Sequence, residues 1–179
     1  MDSEDCIINR KDLLEYAIRT FGGDVYRFAL SQVLRRHTAE DIYQEVFVAL
    51  YQSAPLFHDD EHLKRWLFKT ASHRCKRFFH EQSRRTKEIL VDPTDYTEAA
   101  FLQNACDESH HDEESEIWNF VEKLSPNQRK LIYLFYVEQY TTKEIAEMTN
   151  MPHNTVRTNL RRARQTLRRY LEDGRGHEH

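Results

Sequence analysis

Near the C-terminus, Arg157, Thr158, Arg161 and Arg162 recur at three- and four-residue spacing, in a stretch with no acidic residue from His153 to Leu171. Groups spaced in this way share one side of a helix. A guanidinium offers paired N–H donors that match the edge of a guanine or the oxygens of a phosphate. The chemistry these residues can do is therefore recognition of a polyanion, not bond making. A merely solvated basic helix would have the same composition, so the preceding residues must decide between the two. Thr141 with Glu144 has the form of a capping box, which starts a short helix. Asn150 can adopt the left-handed conformation that ends it, and Pro152 stands where another helix begins. In that second helix Val156, Leu160, Ala163, Leu167 and Leu171 form an apolar stripe, which packs on Ile145, Ala146 and Met148. Arg168 and Arg169 join the outward residues. Helix, tight turn and cationic helix make a helix-turn-helix, and the second helix is shaped for the major groove. Its DNA-contacting candidates are His153, Asn154, Arg157, Thr158, Arg161 and Arg162.

A second set of cations lies upstream. From Lys64 to Lys87 the only acid is Glu81. Lys64, Arg65, Lys69, His73 and Arg77 are interleaved with Trp66, Phe68, Phe78 and Phe79. Cations for phosphates and ring faces for bases are what a single strand requires. Trp66 lies off the core stripe and near Lys69, Thr70, His73 and Arg77, although a tryptophan packed on a neighbouring helix would read the same way. Asp41, Gln44 and Glu45 share one helix face beside an apolar stripe, and taken alone that face is equally consistent with simple solvation.

Other chemistry finds little support. Cys6, Cys75 and Cys106 are odd in number and widely spaced, which suits neither a disulfide framework nor a zinc site. Cys106, His110 and His111 lack a second ligand pair. No glycine-rich phosphate loop, nucleophile elbow or HExxH occurs, so no catalytic residue, metal or cofactor is expected. A nucleic-acid-modifying enzyme would need carboxylates beside the basic helix, and from Leu63 to Arg85 only Glu81 is available. No apolar run approaches the roughly 20 residues of a membrane span, and no signal peptide is evident, so a cytoplasmic location without membrane insertion is expected.

The elements that must position these residues read as all-α. Residues 11–21 form a helix that stops at Gly22-Gly23. A second runs from Asp24 to about Arg36, with Val25, Phe28, Ala29 and Val33 inward. Thr38 with Asp41 offers a capping box for a third, running to about Gln52 with Ile42, Val46, Ala49 and Leu50 inward. After the loop SAPLFHDDEH, a long helix from about Leu63 to Ser83 carries Leu63, Leu67, Ala71, Cys75 and Phe78 on its core stripe. Ile117, Val121 and Leu124 then begin a second helical unit. Ser125-Pro126 caps a helix from Asn127 to about Glu138, with Leu131, Leu134 and Phe135 inward.

The net charge of −4 over 179 residues conceals a strong segregation. From Glu88 to Glu116 the chain carries acids and no lysine or arginine. We divide it into a helical domain (1–84), an acidic flexible linker (85–112) in which Ala99 to Ala105 could form a helical turn or two, a helix-turn-helix domain (113–173) and a frayed tail (174–179). An acidic tether between two cationic surfaces can compete with phosphate for them. The linker's roughly 28 residues could reach on the order of 90–100 Å when extended but average about 30 Å as a coil.

Taken in order, AEDIYQEVF (Ala39–Phe47), HLKRWLFKTASHRCKRFF (His62–Phe79) and LSPNQRKLIYLFYVEQYTTKEIAEMTNMPHNTVRTNLRRARQTL (Leu124–Leu167) resemble the second and fourth regions of the extracytoplasmic-function group of bacterial sigma factors. That resemblance implies binding to the clamp of core RNA polymerase through Asp41, Gln44 and Glu45. It implies minus-ten single-strand contacts by Lys64, Arg65, Trp66, Lys69, His73 and Arg77, and minus-thirty-five reading by the recognition helix while the second domain docks on the polymerase flap. A cognate anti-sigma factor is a further expected partner, beside polymerase and promoter DNA. The sequence departs from the family pattern at His73, Arg77 and Asn159. The alternative is a stand-alone helix-turn-helix regulator, which would offer an apolar pocket or exposed seam in the first domain.

Overall fold

A computed structural model of the chain describes residues 10–53, 55–89 and 121–175, and among these every regular element is helical. The expected linker helix at Ala99 to Ala105, most of the acidic segment and Ile117 lie outside the described residues. Helices α1 (Arg10–Val33), α2 (Arg36–Ser53) and α3 (Asp60–Ile89) form the first unit. The second comprises α4 (Pro126–Ile132), a π turn (Tyr133–Val137), α5 (Thr142–Thr149) and α6 (His153–Arg175). Helix α3 runs past the boundary expected at residue 84, and α6 continues through Gly174 where a frayed tail was expected.

The two expected N-terminal helices are one. Gly22 and Gly23 do not break α1, because neither adopts positive φ. Gly22 is buried under the ring of Tyr43, and a Cβ there would stand 3.1 Å from its hydroxyl oxygen. The glycine serves close approach of α1 and α2 rather than a turn. Leu34 ends α1 instead, at φ 56° with its N–H donating to the Leu30 carbonyl at 2.8 Å. Helix α2 starts at Arg36, so the capping box expected at Thr38 is not the start of the helix. Asp59 caps α3, accepting from the His62 N–H at 2.7 Å. That bond carries the helix further back than the apolar period suggested.

In α2, Ile42, Val46 and Leu50 are buried as expected, together with Ala39 and Phe47. Phe28 of α1 is fully buried and meets Phe68 of α3 edge-on at 5.3 Å. It also meets Tyr133 of the second unit at 5.4 Å, and Phe68 in turn meets Tyr140 at 6.3 Å. The two helical units therefore share one apolar core. Buried aromatic pairs of this kind add about 0.5–1.5 kcal/mol each beyond the area they bury. The sharing explains why Phe68, Ile132 and Tyr133, all off their expected stripes, are inside.

Arg129 seals the junction at 3% exposure. Its Nη1 donates to the carbonyls of Glu122 and Leu124 at 2.8 and 2.9 Å. Its Nη2 donates to the Gln32 carbonyl of α1 at 2.8 Å, across the junction. Burial pulls its pKa down to about 10, so the group stays charged at neutral pH.

Two adjacent glycines make opposite predictions in thermal or urea unfolding. Gly22→Val must displace Tyr43 and should destabilise by about 1–3 kcal/mol. Gly23→Ala meets only the flexible end of Arg27, at 3.3 Å, on an exposed turn. It should stabilise by about 0.5–1 kcal/mol.

Candidate nucleic-acid interface

The helix-turn-helix is built by local chemistry. The Thr141 hydroxyl accepts from the Glu144 N–H at 3.3 Å, and a Glu144 carboxylate oxygen accepts from the Thr141 N–H at 2.8 Å. These bonds hold the Glu144 pKa below its ordinary value, with Arg65 adding to the effect. Asn150 closes α5 in the left-handed conformation, at φ 53°. Val156, Leu160 and Ala163 are buried with Ile145 and Met148, which fixes the roll of α6. The opposite side carries Asn154, Arg157, Arg161, Arg162, Arg168 and Arg169 into solvent, with Thr158 half-buried. Thr142, Asn154, Arg157, Arg161, Gln165 and Arg168 line a shallow open groove along it. His153 is turned inward, with Nε2 2.8 Å from the Thr142 hydroxyl, so it ties the start of α6 to α5. Asn159 donates to the Thr155 carbonyl at 3.0 Å.

The six candidates on α3 fall into two environments. At about 100° per residue, Trp66, Lys69, His73 and Arg77 form one line along the helix. Lys69, His73 and Arg77 are exposed, and Arg77 pairs with Glu81 at 2.9 Å. Trp66 is half-buried, edge-on to Phe57 of the preceding loop at 6.0 Å. Lys64 and Arg65 point away from that line. Lys64 pairs with Glu138 at 2.8 Å, and Arg65 pairs with Glu144 and, at 3.1 Å, with Glu61. Sequence spacing alone gave no sign of this split, because the carboxylates come from the second unit. Desolvation of its ring, together with the cations Lys69, Lys130 and Lys76, lowers the pKa of His73, which is therefore neutral at pH 7.

On α2, Asp41, Gln44 and Glu45 share one exposed face. It continues into Val48 and Tyr51, which are 52% and 47% exposed, an apolar extension that the polar motif had hidden. Glu45 reaches Arg74 of α3 at 3.3 Å, which links this face to the basic helix. Arg129 also went unnoticed in the sequence. Its only signal there is a cation among the inward residues of a short helix.

Family models for sigma-70 region 2 and sigma-70 region 4 match residues 17–85 and 114–167 and together cover more than half of the chain. The chain is 29% identical over 153 residues to the ECF RNA polymerase sigma factor SigM of Bacillus subtilis, covering 84% of this chain and 90% of that one. It is 26% identical over 157 residues to SigX of the same organism, covering 86% and 80%. Among solved structures, it is similar to the sigma factor RpoE in complex with the anti-sigma factor NepR from Bartonella quintana. That match has a TM-score of 0.63 and 20% identity and covers 90% of this chain and 98% of that one. It is also similar to CnrH in complex with the cytosolic domain of CnrY, with a TM-score of 0.62 and 18% identity, covering 91% and 90%. The chain belongs to the bacterial RNA polymerase sigma factors, in their extracytoplasmic-function group. No helix of the described residues is long and apolar enough to cross a membrane.

The surroundings of His73 predict its titration. Its imidazole resonances should titrate below the ordinary value of 6.5, and Lys69→Gln, which removes one of the three cations, should move the midpoint upward. NMR of the ring protons checks both. An unshifted midpoint in the variant would remove Lys69 from the account.

Proposed function

We propose that this alternative sigma factor divides its work between its two helical units. The chain directs promoter recognition and transcription initiation at a particular set of genes. It acts as an initiation factor, and the phosphodiester chemistry belongs to core polymerase. The unit of α1–α3 holds the polymerase clamp through Asp41, Gln44 and Glu45, with Val48 and Tyr51 extending the contact. Trp66, Lys69, His73 and Arg77, with Lys64 and Arg65, take the opened minus-ten strand. Residues 113–173 dock on the flap and read the minus-thirty-five duplex through Asn154, Arg157, Thr158, Arg161 and Arg162, while His153 sets the height of α6. Residues 85–112 tether the two units. A cognate anti-sigma factor restrains the protein, which works in the cytoplasm.

The observation that carries this reading is the pairing of a capped helix-turn-helix, its arginines outward, with an exposed acidic face on a separate helix. A regulator that binds DNA alone has no use for the second. Run-off transcription with core polymerase tests the whole reading. Transcripts should start downstream of paired elements only when the chain is added, and duplex binding without transcripts would favour a stand-alone regulator.

Two variants test the parts. Asp41→Lys with Glu45→Lys should abolish co-purification with core polymerase while helical content is unchanged. Full binding by a well-folded double variant would remove that face from the reading. On α6, truncating an arginine that reads guanine should weaken binding by about 1–3 kcal/mol and relax preference at one base. Truncating one that only holds phosphate should weaken all sequences alike and lower the salt slope by about one unit.

A further inference from the structure

The two units meet through charge as well as through apolar packing, and the charges are those the first unit needs for DNA. Glu138, only 6% exposed, sits on Lys64 at 2.8 Å. Glu144 sits on Arg65, whose guanidinium also lies 6.0 Å from the ring centroid of Tyr140. Neither carboxylate is a wandering surface group. Glu138 is fixed by the π turn, its N–H donating to the Tyr133 carbonyl at 3.2 Å, with Gln139 left-handed immediately after it. Glu144 is fixed by the capping box of α5. Each presents anionic oxygens to a cation as a backbone phosphate would. Meanwhile the arginines of α6 face solvent on the far side of their own helix.

We propose that the second unit is a built-in brake on the first: Glu138 and Glu144 stand in for strand phosphates on Lys64 and Arg65, so the free chain can meet duplex DNA through α6 but cannot capture a single strand. The proposal rests on the assignment of Lys64 and Arg65 to strand binding. Distance reinforces the block. Promoter elements two helical turns apart lie roughly 70 Å from each other. Units that touch at Arg129 and Gln32 cannot occupy both, so docking must be undone before a promoter is opened. The brake is also releasable. Both ion pairs are partly exposed and screened by salt, and the Nε of Arg129 finds no hydrogen-bond partner in the junction.

The test uses the full chain and Glu138→Gln with Glu144→Gln. Glutamine keeps the shape and still closes a capping box, so the fold is retained. Glu40→Gln with Glu147→Gln, both at exposed positions, removes the same charge elsewhere. Binding of a labelled single-stranded DNA oligonucleotide is measured by anisotropy, and the radius of gyration by X-ray scattering. At low salt the brake variant should expand and bind the strand about fivefold tighter than the control pair, and the difference should vanish at high salt. Lys64→Ala with Arg65→Ala, added to the brake variant, should abolish that gain. Expansion with the strand affinity of the control overturns the brake, as does an unchanged radius. A gain that survives loss of Lys64 and Arg65 overturns it for a different reason, because the strand-binding assignment itself has then failed.

Discussion

A guanidinium removed from water must recover its hydrogen bonds from the protein, or its charge makes folding unfavourable by several kcal/mol. Arg129 recovers them from carbonyls of two units at once, two beside its own helix and one at the end of α1. That constraint organises the structure around it. The carbonyls of Glu122 and Leu124 hold the entry to α4, while the carbonyl of Gln32 fixes where α4 meets α1. With α4 so placed, Tyr133 reaches Phe28 and Tyr140 reaches Phe68. Helix α5 then follows at the height where Glu144 meets Arg65. A cation held only by part of its donors makes a precise joint rather than a strong one. Such a joint suits units that must separate to work.

The division of charge follows the same logic. Outward arginines on α6 are fixed by apolar residues on its other side, so the duplex-reading surface exists whether or not the units are docked. The strand-binding surface of α3 has no such independence. Its outer line, from Trp66 to Arg77, is free of the second unit, whereas Lys64 and Arg65 lie under it. The pairing of Glu45 with Arg74 joins the proposed polymerase face to the same helix, so events at that face reach α3 directly.

What could be read from the sequence was local in origin. Thr141 with Glu144, Ser125 with Pro126 and Asn150 specify their caps through atoms a few residues apart, and each forms as the pattern implied. The stripes of α2 and α6 are legible because one face of each meets one neighbour. The reading failed where a residue serves a distant partner. Gly22-Gly23 looked like a stop because the ring of Tyr43, which requires Gly22, lies 21 positions away. Phe68, Ile132, Tyr133 and Arg129 looked misplaced because their partners belong to the other unit. The candidate residues on α3 were found as a set, but the direction each faces depends on carboxylates that no spacing within the helix could reveal.

The π turn at Tyr133–Val137 gives the chain an unusual hereditary variable. Such a turn holds one residue more than an ordinary helical turn. Loss of a single residue there can be absorbed by tightening to regular helix, which leaves the capped α5 and the arginines of α6 as they are. What changes is phase: the residues before Gln139 rotate by about 100° relative to α4. Glu138 would then leave Lys64 with no substitution at either position. Contact between the two units is thus governed by chain length, and lineages could acquire or discard it through insertions and deletions that a comparison of residue types alone would miss.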